Sequence, residues 1–190
     1  MKREPAHRYA LILIDVINAF DFPGGERLLR SAKPMASGIA ALKRRAKAGG
    51  MPVIYANDNY GRWRSDFRQV VAECGHGKSR GKELTQLLYP ENDDFFVLKP
   101  MQSAFLSTPL GQLLETLSID GVILTGIATD ACVMATALDA HMRHYGVVVP
   151  TDCTASETPA RKLRALKLLE DTIGVDTMAS RTITRRNYLR

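Results

Sequence analysis

Long apolar runs are missing from this chain, and so is any closely spaced pair of cysteines. The first absence excludes a membrane-spanning helix, which needs about 20 consecutive apolar residues; stretches such as "YALILIDV" are far shorter. The opening "MKREPAHRYA" is basic but carries no apolar segment of signal-peptide length before the first strand-like run. The expectation is a soluble, cytoplasmic protein with no membrane partner. The second absence concerns redox and metal chemistry. Cys74, Cys132 and Cys153 are odd in number and widely spaced, with no CxxC. That argues against a disulfide framework or a zinc knuckle and leaves three reduced thiols. Internal repeats, linkers and low-complexity tracts are also missing, so residues 1–190 are expected to form one domain.

What is present is ordinary for a globular chain: 45% hydrophobic and 24% charged residues, enough for a substantial core. The formal charge of +6 gathers in "KRRAK" (Lys43 to Lys47), "RKLRALK" (Arg161 to Lys167) and "RTITRRNYLR". In the first two, apolar residues recur at helical spacing, which reads as the solvated faces of amphipathic helices. No recognition motif accompanies the charge, so no nucleic-acid partner is expected; attraction of small anions is a milder consequence.

Strand-like and helix-like segments alternate along the chain. Tyr9 to Val16 is a continuous apolar run ending around an acid, the pattern of a central strand covered on both faces. A helical pattern starts at Pro34 (Met35, Ile39, Leu42, Ala46) and stops at Gly49-Gly50. Pro52 to Asp58 reads as the second strand, a polar stretch with a short helix around Phe67 to Cys74 follows, and Phe95 to Lys99 is the third strand. Thr108-Pro109 opens a helix through Leu117, Gly121 to Gly126 is the fourth strand, and the next helix runs from about Thr129 to Tyr145. Val147 to Pro150 is the fifth strand, Thr158-Pro159 starts a helix through Leu169, and "VDTM" (Val175 to Met178) is a candidate sixth strand. This order selects a three-layer α/β/α, Rossmann-like fold with a mostly parallel sheet of about six strands.

Ligands of open α/β sheets bind beyond the carboxyl ends of strands. Three chemically loaded residues fall there: Asp15 after strand one, Lys99 closing strand three, and Cys132 just after strand four. Singly, each has a bland explanation: an acid bonding loop amides, a solvated lysine, a packed thiol. Together they suit nucleophilic catalysis, since a carboxylate can take the thiol proton while an ammonium and helix N-terminal amides favour the thiolate.

The segments "LILIDVINAF", "VLKPMQSAF" and "GIATDACVMATALDA", with "VVVPTDCTAS" further on, resemble the isochorismatase-like cysteine hydrolases, which include nicotinamidases and carbamoyl-amide hydrolases. The resemblance spans Tyr9 to about Ser156. It implies a triad of Asp15, Lys99 and Cys132, a cis peptide between Ile127 and Ala128, and an oxyanion hole from the Ala128 and Cys132 amides. It further implies hydrolysis of a small amide or carbamoyl substrate through a thioester with no organic cofactor, and assembly as a homo-oligomer, a dimer or tetramer.

Departures from the family pattern matter as much. Nicotinamidases carry a metal on an Asp-x-His segment after strand two; here that segment reads "NDNYGRW", with Asp58 but Tyr60 in place of histidine, and His76 is the only histidine between strands two and three. One acid and one loop imidazole are a poor set for a divalent ion, so no metal is expected. Relatives that cleave a vinyl ether commonly lack the cysteine, so its presence favours C–N over ether hydrolysis. Phe20, Asn59, Tyr60 and Trp63 are the candidate substrate contacts, with Arg62 and Arg64 as further candidates for a substrate carboxylate. Cys74 and Cys153 read as packing residues. The competing readings are a vinyl-ether hydrolase, a nicotinamidase and a non-catalytic metabolite-binding protein.

Overall fold

The computed structural model describes residues 8–61, 66–184 and 188. Its elements in chain order are β1 (Tyr9–Ile14), α1 (Gly25–Ala48), β2 (Val53–Asp58), α2 (Phe67–Gly75), α3 (Lys82–Leu87), β3 (Phe95–Lys99), α4 (Leu110–Thr116), β4 (Gly121–Ile127), α5 (Met134–Met142), β5 (Gly146–Val148), β6 (Thr154–Ala155) and α6 (Pro159–Ile173). All six strands are parallel, in the order β3-β2-β1-β4-β5, and β6 pairs with the far end of β4. Strand order reverses direction between β1 and β4, which makes that junction the topological switch point.

The alternation of β1 builds the layers. Leu11 and Leu13 face a core with α1 and α2, whereas Ala10, Ile12 and Ile14 face a second core with α4, α5 and α6. Both faces are covered, so the strand is apolar at every position, as a buried parallel strand must be. Helix ends follow local chemistry. The Asp66 side chain accepts from the Gln69 amide at the start of α2, Thr158 does the same for Arg161 ahead of Pro159 in α6, and Gly174 closes α6 in the left-handed conformation.

Four features differ from the sequence expectation. Helix α1 starts at Gly25, not Pro34, and carries Pro34 inside it. Its buried stripe already runs through Leu28 and Ala32, and the carbonyl that proline leaves without a donor belongs to the exposed Arg30, where water can reach. Lys43 is not on a solvated face. It is buried, 2.6 Å from Asp94, with Glu91, the Tyr55 hydroxyl and the Tyr89 carbonyl around the same ammonium. The sixth strand is Thr154–Ala155; the expected Val175–Met178 segment makes only an isolated bridge at Asp176. Finally, the helix after β4 begins with one wide turn, Thr129–Val133, in which the Val133 amide bonds the Ala128 carbonyl five residues back, and becomes α-helical only at Met134.

Among the described residues no helix is long and apolar enough to cross a membrane.

Candidate active site

The end of β1 leaves the sheet abruptly because Asp15 adopts a left-handed backbone, φ 52°. Its own amide still bonds the Ala56 carbonyl, so the residue is anchored to the ladder while its side chain turns over the strand ends. One carboxylate oxygen accepts the Asp58 amide at 2.7 Å, and the other meets the Lys99 ammonium at 2.8 Å. Lys99 ends β3, two strands away, and is fully buried. Its three protons have three partners: Asp15, the Met101 carbonyl at 3.2 Å and the Cys132 sulfur at 3.5 Å. Cys132 comes from the opposite side of the switch point, on the wide turn after β4, and is half-buried. The acid, the amine and the thiol therefore meet in one cluster.

Close approach of the backbones makes this possible. Gly126 adopts φ 110°, and a Cβ there would lie 2.0 Å from the Ile14 carbonyl oxygen. Only glycine lets β4 press against the end of β1 where Asp15 departs. The peptide between Ile127 and Ala128 is cis, and Ala128 is half-buried beside the turn that carries Cys132.

Burial and charge set the protonation of the cluster. Burial pushes the Asp15 carboxyl above the ordinary carboxylate range, with Lys99 pulling the other way. Burial alone would lower Lys99, but the Asp15 charge and hydrogen bond, together with Cys132 and Asp58, outweigh it and hold the ammonium above the usual lysine value. Burial and then the Asp15 charge push the Cys132 thiol up to about 12, against the opposing pull of Lys99. The resting cluster is thus a carboxylate–ammonium pair with a neutral thiol bonded to it, not a preformed thiolate.

The expected substrate contacts divide. Phe20 offers no exposed surface to a substrate: its ring is fully buried and stacks on Phe22 in the α1-side core. Asn59 is buried and turns the chain, its side-chain oxygen accepting the Gly61 amide. Tyr60 exposes part of its ring while its hydroxyl donates to the Ile17 carbonyl. Burial raises that hydroxyl's pKa, and the Cys74, Asp15 and Asp58 charges add to the shift. Trp63, Arg62 and Arg64 lie outside the described residues. Cys74 and Cys153 are buried.

Asn57 was missed in the sequence. Its amide bonds the Ile17 backbone reciprocally, accepting the N–H at 3.1 Å and donating to the carbonyl at 3.0 Å, which fixes the loop that follows Asp15. The sequence signal was an amide directly after the run Val53 to Ala56, and the structure buries it fully.

Among the described residues no three His, Cys, Asp or Glu side chains are grouped to hold a metal ion. Asp58, the acid that matches the nicotinamidase pattern, spends one oxygen on the Tyr60 amide, and the neighbouring tyrosine offers no imidazole. The donor set does not fit a divalent cation.

The isochorismatase-domain family model matches residues 9–181. The chain belongs to the isochorismatase family. It is 38% identical over 164 residues to the uncharacterized isochorismatase family protein YaaI of Bacillus subtilis, covering 86% of this chain and 90% of that one. The ureidoacrylate amidohydrolase RutB of Cronobacter sakazakii is 29% identical over 178 residues, covering 79% of this chain and 75% of the relative. The crystal structure of N-carbamoylsarcosine amidase from Thermoplasma acidophilum superposes with a TM-score of 0.70 at 25% identity, covering 93% and 98% of the two chains. That superposition takes in the α/β sheet on which the Asp15–Lys99–Cys132 cluster is built.

Proposed function

We propose that this protein hydrolyses the C–N bond of a small amide or carbamoyl compound, with Cys132 as nucleophile. The observation that carries the reading is the Lys99 ammonium, which touches the Asp15 carboxylate at 2.8 Å and the Cys132 sulfur at 3.5 Å at once. Two of the relatives, an N-carbamoylsarcosine amidase and a ureidoacrylate amidohydrolase, carry names that describe chemistry of this class.

The reaction follows from the resting protonation state. As sulfur attacks the carbonyl carbon, the thiol proton passes to Asp15, so negative charge moves from carboxylate to the substrate oxygen. The Ala128 and Cys132 amides receive that oxyanion; a donor of this kind is worth about 2.7–4 kcal/mol of barrier. Protonated Asp15 gives its proton to the departing nitrogen, the C–N bond breaks, and ammonia or an amine leaves behind a thioester. Asp15 then takes a proton from an attacking water, the C–S bond breaks, and the proton returns to sulfur as the acid leaves. Lys99 stays charged throughout, holding Asp15 in place and offsetting each anion in turn. No step runs through a metal.

The test is ammonia release from a panel of primary amides and ureido acids by the wild type and by Cys132→Ala. Turnover of at least one compound by the wild type, lost in a variant with unchanged thermal unfolding, is expected. A variant with near-normal turnover overturns the mechanism. Iodoacetamide mapping adds a substrate-free check, in which Cys132 should react faster than the buried Cys74 and Cys153.

A further inference from the structure

Thr136 lies four residues beyond Cys132, in the first turn of α5, and is fully buried. Its hydroxyl donates to the Cys132 carbonyl at 2.7 Å, the back-bond that a helical threonine often makes. The second bond is not routine. The same oxygen accepts the backbone amide of Ala104 at 3.0 Å, and Ala104 is itself fully buried in the loop after β3. The directions are fixed, because an amide can only donate and a carbonyl can only accept.

That loop also carries the Met101 carbonyl, which receives the Lys99 ammonium. Ser103, from the same loop, donates to Asp139 on α5 and accepts the Phe105 amide. The bonds therefore close a ring. Lys99 reaches the Cys132 sulfur directly, and the backbones of the two residues are tied to each other through Met101 and Ala104 on one side and Thr136 on the other.

We infer that Thr136 is a positioning residue that fixes the distance between the Lys99 ammonium and the Cys132 sulfur by binding the loop after β3 to the nucleophile's turn. The inference rests on the proposed role of Cys132. Thr136 does not touch the reacting atoms. It acts by denying the two segments independent movement, and a small misplacement of groups that must meet in a transition state has a large kinetic effect.

The experiment is iodoacetamide alkylation of Cys132, followed by peptide mass spectrometry from pH 6 to 10, in the wild type, Thr136→Val and Thr136→Ser, with thermal unfolding of the same samples. Valine keeps the volume and removes both bonds; serine keeps both bonds. Thr136→Val is expected to alkylate about tenfold more slowly at neutral pH, with its pH profile displaced upward by about one unit as the sulfur loses its ammonium. Thr136→Ser is expected to stay within about twofold of the wild type. A valine variant with lower thermal stability but an unchanged rate and profile overturns the inference, as does a serine variant impaired as badly as valine. Should valine fail to fold, Thr136→Ala, a better helix former, carries the same expectations. Failure of the underlying reading looks different: wild-type Cys132 would then alkylate no faster than Cys74 and Cys153.

Discussion

Replacing Asp15 by asparagine should make Cys132 more reactive towards an alkylating agent while making the enzyme inactive. The opposition follows from the charges around sulfur. Lys99 lies 3.5 Å from the sulfur. At an effective dielectric constant of about 20, a thiolate–ammonium pair at that distance gains about 5 kcal/mol, or about 3.5 pKa units. In the native cluster Asp15 opposes that pull and, with burial, keeps the thiol up at about 12. Asn at position 15 can still accept the Asp58 amide but carries no charge, so the ammonium acts on sulfur unopposed. The wild-type thiolate can also form by internal transfer of its proton to Asp15. The net gain in thiolate is therefore set by how far the pH lies above the pKa of Asp15, about tenfold per unit, and it vanishes below that pKa. Alkylation by iodoacetamide should accelerate at any pH above the pKa of Asp15, and the acceleration should fade as the pH is lowered. Turnover should fall by about 10²–10⁴, the value of a general base that also serves the leaving group. Parallel losses of alkylation and turnover would refute the reasoning, because they would mean that Asp15 creates the thiolate before substrate arrives.

Three further outcomes follow from other parts of the structure. Turnover should fall with decreasing pH through the pKa of Asp15, because the protonated acid cannot take the thiol proton; burial raises that pKa, so the acid limb of kcat/KM should lie above about pH 4, and a limb at or below that value would remove Asp15 as the base. Gly126→Ala forces a Cβ to within 2.0 Å of the Ile14 carbonyl at φ 110°; denaturant unfolding should show a loss of about 3 kcal/mol or more, and a loss under about 1 kcal/mol would mean that the β1–β4 junction yields easily. Lys43→Ala leaves Asp94, whose side chain is only 2% exposed, without its buried cation; unfolding should show a loss of about 3–5 kcal/mol with Cys132 alkylation unchanged, and a neutral result would mean that Lys47, 3.0 Å from Asp94, suffices alone.

The layers and the three principal site residues were legible in the sequence for one reason: each interrupts a pattern. Asp15 and Lys99 end runs that are otherwise apolar, and a charged group at the end of a buried strand must find a partner; Cys132 is a thiol set in the polar turn that follows the fourth strand. Lys43 and Pro34 were misread because periodicity reports where a residue falls on a helix and not what lies opposite it. The same lysine stem serves a solvated face or, with Asp94 and Tyr55 facing it, a buried ion pair. Phe20 was misplaced because an aromatic residue in a loop near a strand end looks the same whether it lines a cleft or fills the core beneath it. The hardest features to foresee were the groups that hold the cluster through the main chain. Asp58 offers Asp15 its amide, Met101 offers Lys99 its carbonyl, and Ala104 offers Thr136 its amide. Any residue but proline carries that amide, and every residue carries that carbonyl, so side-chain identity there holds little information about the site. What the sequence can encode is the backbone path that brings those groups into range, and it does so in residues such as Gly126 and Asn57, whose own side chains, or lack of one, never approach the reacting atoms. Substitutions at those positions should therefore disturb the chemistry through geometry, altering rates without touching substrate.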